Sequence, residues 1–137
     1  MPLMTGRCLC GKASYTADGE PIRMAACHCK TCQRHLGTAF SSVIILPREA
    51  VVVTGNLVTY TQPGGTTGEP FHRRSCPGCG SPMLWEREGS PRVLIHAGTL
   101  DDTALFQPTE NMFCEFAQSW VTLSPGMRNS PGYPPSA

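Results

Sequence analysis

Cys76-Pro77-Gly78-Cys79-Gly80 is the stretch on which the reading of this 137-residue chain turns. A C-x-x-C turn brings two thiolates over one set of backbone amides, and zinc takes four such ligands in a tetrahedron. Pro77 and Gly78 shape the turn, and Gly80 lets the chain pass close to a metal. One such turn is half a site. Two further clusters supply candidates for the rest: Cys8-Leu9-Cys10 and Cys27-His28-Cys29-Lys30-Thr31-Cys32, with Cys114 standing alone. The simplest division is a closed four-thiolate site from Cys8, Cys10, Cys76 and Cys79, and an incomplete three-thiolate site from Cys27, Cys29 and Cys32. The first would tie the N-terminus to the middle of the chain, where a structural zinc contributes about 10–16 kcal/mol. The second would keep a position for water or substrate, which separates catalytic from structural zinc. The alternative is that His28 or a returning Cys114 closes it.

Composition narrows the class. At this length one core-forming domain is expected. Charged residues make up only 15%, against about 25% in an average domain. Fourteen glycines and 13 prolines favour turns and short strands over long helices. Nine arginines and two lysines are scattered against ten acids, for a net charge of +1, which gives no basic stripe for nucleic acid. Residues 1–6 lack the basic and apolar segments of a signal peptide, and the longest apolar run, residues 43–46, is far short of a membrane span. Eight cysteines in a chain expected to be cytoplasmic point to metal rather than disulfides.

The element pattern is mostly β. Residues 6–15 read as a strand start with Cys8 and Cys10 on one face. Residues 27–34 form a compact knuckle opening a single helical turn, and residues 39–46 a strand with Phe40, Val43, Ile44 and Ile45 facing a core. The β-branched run 51–54, the turn Gly55-Asn56 and residues 57–61 predict a hairpin. Residues 62–70 read as a loop. Residues 83–86 and 93–97 pair across the turn 88–91, and Asp101 or Asp102 caps a short helical turn.

The runs Gly6-Arg7-Cys8-Leu9-Cys10-Gly11, residues 27–34 and Ser75-Cys76-Pro77-Gly78-Cys79-Gly80-Ser81 resemble the glutathione-dependent formaldehyde-activating (GFA) family, whose superfamily includes centromere protein V. Gly37-Thr38-Ala39-Phe40, Val53-Thr54-Gly55-Asn56 and Ala97-Gly98-Thr99-Leu100-Asp101-Asp102 are similar to the family too, so the likeness spans residues 6 to about 123. It implies an Mss-like β-tent of small antiparallel sheets pinned by zinc, with a zinc domain over residues 1–123 and an irregular Pro-rich tail over 124–137. It implies two zinc ions per chain: one structural on Cys8, Cys10, Cys76 and Cys79, one catalytic on Cys27, Cys29 and Cys32. It implies a carbon–sulfur lyase that condenses a small-molecule thiol, glutathione, with formaldehyde, and no nucleic-acid or membrane partner. The sequence departs from the family at Asn111, where many relatives carry His.

Other residues have plainer readings. His28 orients its loop by bonding a backbone carbonyl. His35, His72 and His96 are surface or strand residues. Arg73 and Arg74 offset the charge of a zinc tetrathiolate, and Arg34 is a candidate for gripping a substrate carboxylate. Cys114 is a small apolar core residue, Trp85 and Trp120 core or pocket wall. The competing function is a non-catalytic zinc-binding β-tent module for protein interaction, which a filled fourth ligand position would favour.

Overall fold

The computed structural model describes residues 3–64 and 68–134. Among them the chain is mostly β, with eleven strands in two sheets and one α-helix. Parts of the loop expected at 62–70 and of the tail expected at 124–137 lie outside the described residues.

The larger sheet is organised by β4 (Ser41–Pro47), in which residues 43–46 are buried on both sides of the strand. Successive strand residues face opposite ways. Ile44 and Leu46 therefore enter one core with Met4, Tyr15, Ala17, Met83 and Ile95, while Val43 enters another with Ala25, Cys27, Cys32 and Met112. β4 is flanked by β3 (Arg23–Cys27) and β9 (Arg92–His96), both antiparallel to it. Beyond β9 follow β8 (Pro82–Arg87), β7 (Phe71–Ser75) and β6 (Val58–Gln62) at the far edge. The expected pairing of residues 83–86 with 93–97 is that of β8 with β9, Trp85 opposite Leu94. Beyond β3 lie β10 (Glu110–Met112) and β11 (Arg128–Asn129), both paired in parallel, so this sheet is neither small nor wholly antiparallel. β11 gives the expected irregular tail one regular, hydrogen-bonded element.

The second sheet holds β1 (Met4–Arg7), β2 (Ser14–Ala17) and β5 (Val51–Thr54), in that order. Two expectations are corrected here. Cys8 and Cys10 do not share a strand face: β1 ends at Arg7 and both cysteines sit in the tight turn that follows. Residues 51–61 are not a hairpin either. β5 pairs with β2, Val53 opposite Tyr15, whereas β6 pairs with β7, Tyr60 opposite Arg73. The physical reason is burial. Against β2, Val51 and Val53 pack onto the main core, whereas β6 is largely exposed and offers them no cover. Gly55 makes the separation possible. Its φ of +105° is in the left-handed region, and a Cβ there would lie 2.4 Å from the Lys12 carbonyl oxygen.

The helix α1 (Lys30–Leu36) is about two turns long rather than one. Its N-cap is Cys29, whose sulfur accepts from the Cys32 amide at 3.3 Å, and it ends where Gly37 turns left-handed at φ 65°. As expected, Asp102 caps a short 3-10 turn, Thr103–Leu105, by accepting from the Ala104 amide.

Gly55→Ala is expected to destabilise the fold by ~1–3 kcal/mol, combining left-handed strain with the clash against Lys12. A urea melt whose midpoint matches that of the parent would show that the turn is not strained as described.

Candidate metal centres

Two sets of sulfurs converge. In each set, Cys8, Cys10, Cys76 and Cys79 on one hand and Cys27, Cys29 and Cys32 on the other, the ligand atoms lie within 4.8 Å of one another. All eight cysteines are free thiols. In the four-sulfur set Cys10 Sγ lies 3.6 Å from both Cys8 Sγ and Cys76 Sγ. The edge of a zinc–thiolate tetrahedron with bonds of about 2.3 Å is about 3.8 Å, so the sulfurs stand near ligand separation. Backbone and side chain favour the thiolate at Cys8 and Cys79, whereas Cys10 is pushed up to about 11. The Ala13 amide donates to Cys8 Sγ at 3.3 Å. Ser81 Oγ, 3.2 Å from Cys79 Sγ, together with the Cys10 and Ser81 amides, brings the Cys79 thiol down to about 5. Ser81 also accepts from the Leu9 amide at 3.0 Å and so joins the two sulfur-bearing loops. Gly80 acts differently from expectation. A Cβ there would meet nothing within 4 Å, and what the turn requires is its φ of +78°. It is Gly78 that faces the sulfurs, 3.6 Å from Cys10 Sγ and 3.7 Å from Cys76 Sγ for a built Cβ.

The three-sulfur set is assembled where β3 ends and α1 begins. Cys27 is the last residue of β3, Cys29 caps α1 and Cys32 faces inward from its first turn. Three thiols this close cannot all ionise without a cation. Cys29 holds the negative charge, well below an ordinary thiol, through its contacts with Cys27 and Cys32, and Cys27 is pushed far up by the same neighbours. A dication would remove that conflict, and the donor set fits zinc. The buried Ser41 hydroxyl has no hydrogen-bond partner of normal geometry, yet it faces Cys32 and favours its thiolate.

Neither expected candidate fills the fourth place. His28 is buried, and its Nε2–H donates to Asn111 Oδ1 at 2.9 Å rather than to a backbone carbonyl. Asn111 in turn donates to Asn129 Oδ1 at 2.9 Å. The Cys114 thiol is half-buried and donates to the Asn111 carbonyl at 3.5 Å. The Asn111 amide thus orients His28 and links it to β11. Gln33 on α1 completes the support, donating to the His28 and Phe116 carbonyls at 2.7 and 3.0 Å and accepting from Gln118 at 2.9 Å.

The arginines are placed differently from expectation. Arg74 does not serve a tetrathiolate, because it pairs with Glu86 at 3.0 Å, as Arg48 also does. Arg73 belongs to the other centre: the charges of Cys32, Cys29 and Cys27 act on it. A groove of about 550 Å³ beside this centre is lined by Lys30, Thr31, Arg34, His35, Tyr60, Gln62 and Arg73. His35 stacks 4.8 Å from Trp85, and Trp85 lies 4.1 Å from His96. His35 is exposed on α1 and His96 closes β9, as expected of surface and strand residues, and both rings lie against Trp85. Burial first, and Arg73 second, lower both imidazoles, His96 to about 3. Trp85 is core, whereas Trp120 is 72% exposed and lines a second groove across Lys30 and Arg34. His72, by contrast, bonds Thr61 and Glu88 at the surface. Among the described residues no helix is long and apolar enough to cross a membrane.

Sequence reading missed Gln62, Ser41 and the role of Asn111. Ser81, however, stands inside a cysteine-bearing run. Comparison with known proteins points one way. The family model described as glutathione-dependent formaldehyde-activating enzyme matches residues 3–116. No curated protein matches the chain. Among solved structures, a structural-genomics crystal structure of a Rhodobacter sphaeroides protein is similar, with a TM-score of 0.55 and 20% identity, covering 77% of this chain and 97% of that one. At that identity the likeness shows a shared fold.

Because His96 stays neutral down to about 3 when folded, while an unfolded histidine titrates near 6.5, the unfolded chain binds the extra proton between those values. Stability from this residue therefore falls as pH drops from about 6.5 toward 3, by up to ~1.4 kcal/mol per pH unit. Urea melts of the parent and of His96→Phe should diverge in slope over that window, and parallel profiles would refute the assignment.

Proposed function

The chain belongs to the glutathione-dependent formaldehyde-activating enzyme family, and from that premise we propose that it is a zinc-dependent carbon–sulfur lyase joining a thiol, glutathione or a close relative, to formaldehyde or a related small aldehyde. The observation that supports this reading best is the three-sulfur set itself. Cys27, Cys29 and Cys32 converge without a fourth protein donor among the described residues, and Lys30 and Thr31, which stand between Cys29 and Cys32 in the chain, line a groove with Arg34 and Arg73. The set of Cys8, Cys10, Cys76 and Cys79 is read as the structural site, each C-x-C or C-x-x-C turn giving two ligands.

Zinc held by Cys27, Cys29 and Cys32 would supply Lewis acidity that keeps an incoming thiol as its thiolate at neutral pH. The protein's own residues do the rest. α1 fixes Cys29 and Cys32 through its cap, and Gln33 fixes α1. Lys30 and Arg34, on the groove wall, suit the carboxylates of a glutathione-like thiol. Tyr60 and His35 pack edge to face at 6.4 Å on the groove wall. His35 is kept neutral there by burial and by Arg73, so it is available to accept a hydrogen bond. In the reaction the thiol gives its proton to solvent, its sulfur bonds to the aldehyde carbon, the carbonyl π pair moves to oxygen, and that oxygen takes a proton back from solvent to become the hydroxyl, with no net proton released. The reverse direction expels the aldehyde.

Native mass spectrometry tests both centres at once. Two zinc ions per chain and a glutathione adduct are expected, with Cys29→Ser losing the adduct and one zinc, and Cys76→Ser losing the other zinc along with the cooperative fold. Formaldehyde consumption in the presence of glutathione should fall at least 100-fold in Cys29→Ser, a magnitude of the order seen for loss of a main catalytic group. One zinc that never rises to two, with no thiol adduct, would leave a non-catalytic zinc module instead.

A further inference from the structure

Arg73 is a cation held in place with one donor nitrogen unused. Its side chain is only 6% exposed, yet among the described residues no carboxylate pairs with it. Nε and Nη2 both donate to Gln62 Oε1, at 3.0 and 2.8 Å. The guanidinium lies over two rings, 4.7 Å from the centre of Phe71 and 4.4 Å from that of Trp85. These contacts fix its plane, and buried Nη1 is left without a partner. A buried arginine donor without an acceptor is costly unless something else supplies the negative charge. The three-sulfur centre is the source at hand: Arg73 lines one groove with Lys30 and Thr31, the residues between Cys29 and Cys32, and the charges of Cys32, Cys29 and Cys27 act on it.

We propose that Arg73, positioned by Gln62 and by the Phe71–Trp85 pair, is the counter-cation of the Cys27–Cys29–Cys32 centre and makes that centre prefer an anionic thiolate over a neutral molecule as its fourth ligand. This rests on the metal-centre part of the reading above but not on aldehyde chemistry. The formal charges show why a counter-cation is needed. A dication with three thiolates carries one net negative charge, and a fourth thiolate raises it to two. In a partly buried site that second charge is unfavourable without a nearby positive one. The four-sulfur centre meets the same charge differently: Cys10 is exposed, so water screens it. Cys8 and Cys76 are buried as Cys27 and Cys32 are, so the exposed Cys10 is what distinguishes the outer centre; the inner centre has no exposed sulfur and has the buried Arg73 instead.

The test uses cobalt(II)-loaded protein, whose visible spectrum reports the ligands, titrated with 2-mercaptoethanol as anionic ligand and imidazole as neutral ligand. In Arg73→Gln the thiol should bind about tenfold or more weakly while imidazole binding stays within about twofold of the parent. Arg73→Lys should restore most of the thiol preference, and Gln62→Leu should reduce it to an intermediate value. Equal weakening of both ligands in Arg73→Gln would mean a distorted site and overturn the proposal, as would an unchanged preference or a parent centre that never takes up cobalt. Should Arg73→Gln fail to fold, Gln62→Leu decides the matter, and a parent-like preference there overturns the proposal. Normal thiol preference without formaldehyde turnover would sink the lyase reading and leave the role of Arg73 standing.

Discussion

Four cysteine sulfurs drawn from loops that are 66 residues apart at their nearest contact hold this fold at its N-terminal end. The loop after β1 has little to pack with: Leu9 is 89% exposed and Cys10 lies at the surface. Its hold on the molecule comes from Cys8, buried in the main core, from the Ser81 bridge and from the shared metal position. Closing a loop of this length costs several kcal/mol of chain entropy, and a zinc–thiolate site offsets that several-fold. The three-stranded sheet then follows, because β1 and β2 flank the cysteine turn and β5 covers them.

The two centres divide their work by burial. The outer one sits between loops and water and touches the core through Cys8 and Cys76. The inner one lies in its own small core with Ala25, Val43 and Met112, beside a groove. The same ligand type would serve two ends under the function proposed above: a closed set of four sulfurs for structure, and a set of three with one direction left for a ligand.

Much of this was legible in the sequence because cysteine spacing is local information. A C-x-x-C turn and a C-x-C turn commit their sulfurs whatever the remaining chain does, and the burial of β4 is written in four consecutive apolar residues. What was not legible is partner choice. Residues 51–54 and 57–61 are strand-forming and flank a Gly-Asn turn as a hairpin should, but β5 is drawn to β2 by the core under Tyr15, a contact some 40 residues distant in sequence that no local pattern encodes. The same limit hid the true neighbours of Arg73 and Arg74. Adjacent residues on a strand face opposite sides, and only the fold shows that one side meets thiolates and the other Glu86. Asn111 was visible as a departure from the family pattern, but its bond to His28 depends on β10 lying in parallel beside β3.

β7 joins the two centres mechanically. Arg73 on this strand attends the inner sulfurs, and three residues later Cys76 anchors the outer set, about 10 Å along an extended chain. An irregularity in the pairing at Arg74/Ser75 absorbs the step between strand and knuckle. The outer centre thus behaves as a clamp on a short rod. Its grip sets the register of β7, and with a repeat of two residues a slip of one would point Arg74 inward and turn Arg73 toward Glu86. The four-sulfur set is therefore a vernier for the three-sulfur set, fixing to a single residue which arginine is turned toward Cys27, Cys29 and Cys32.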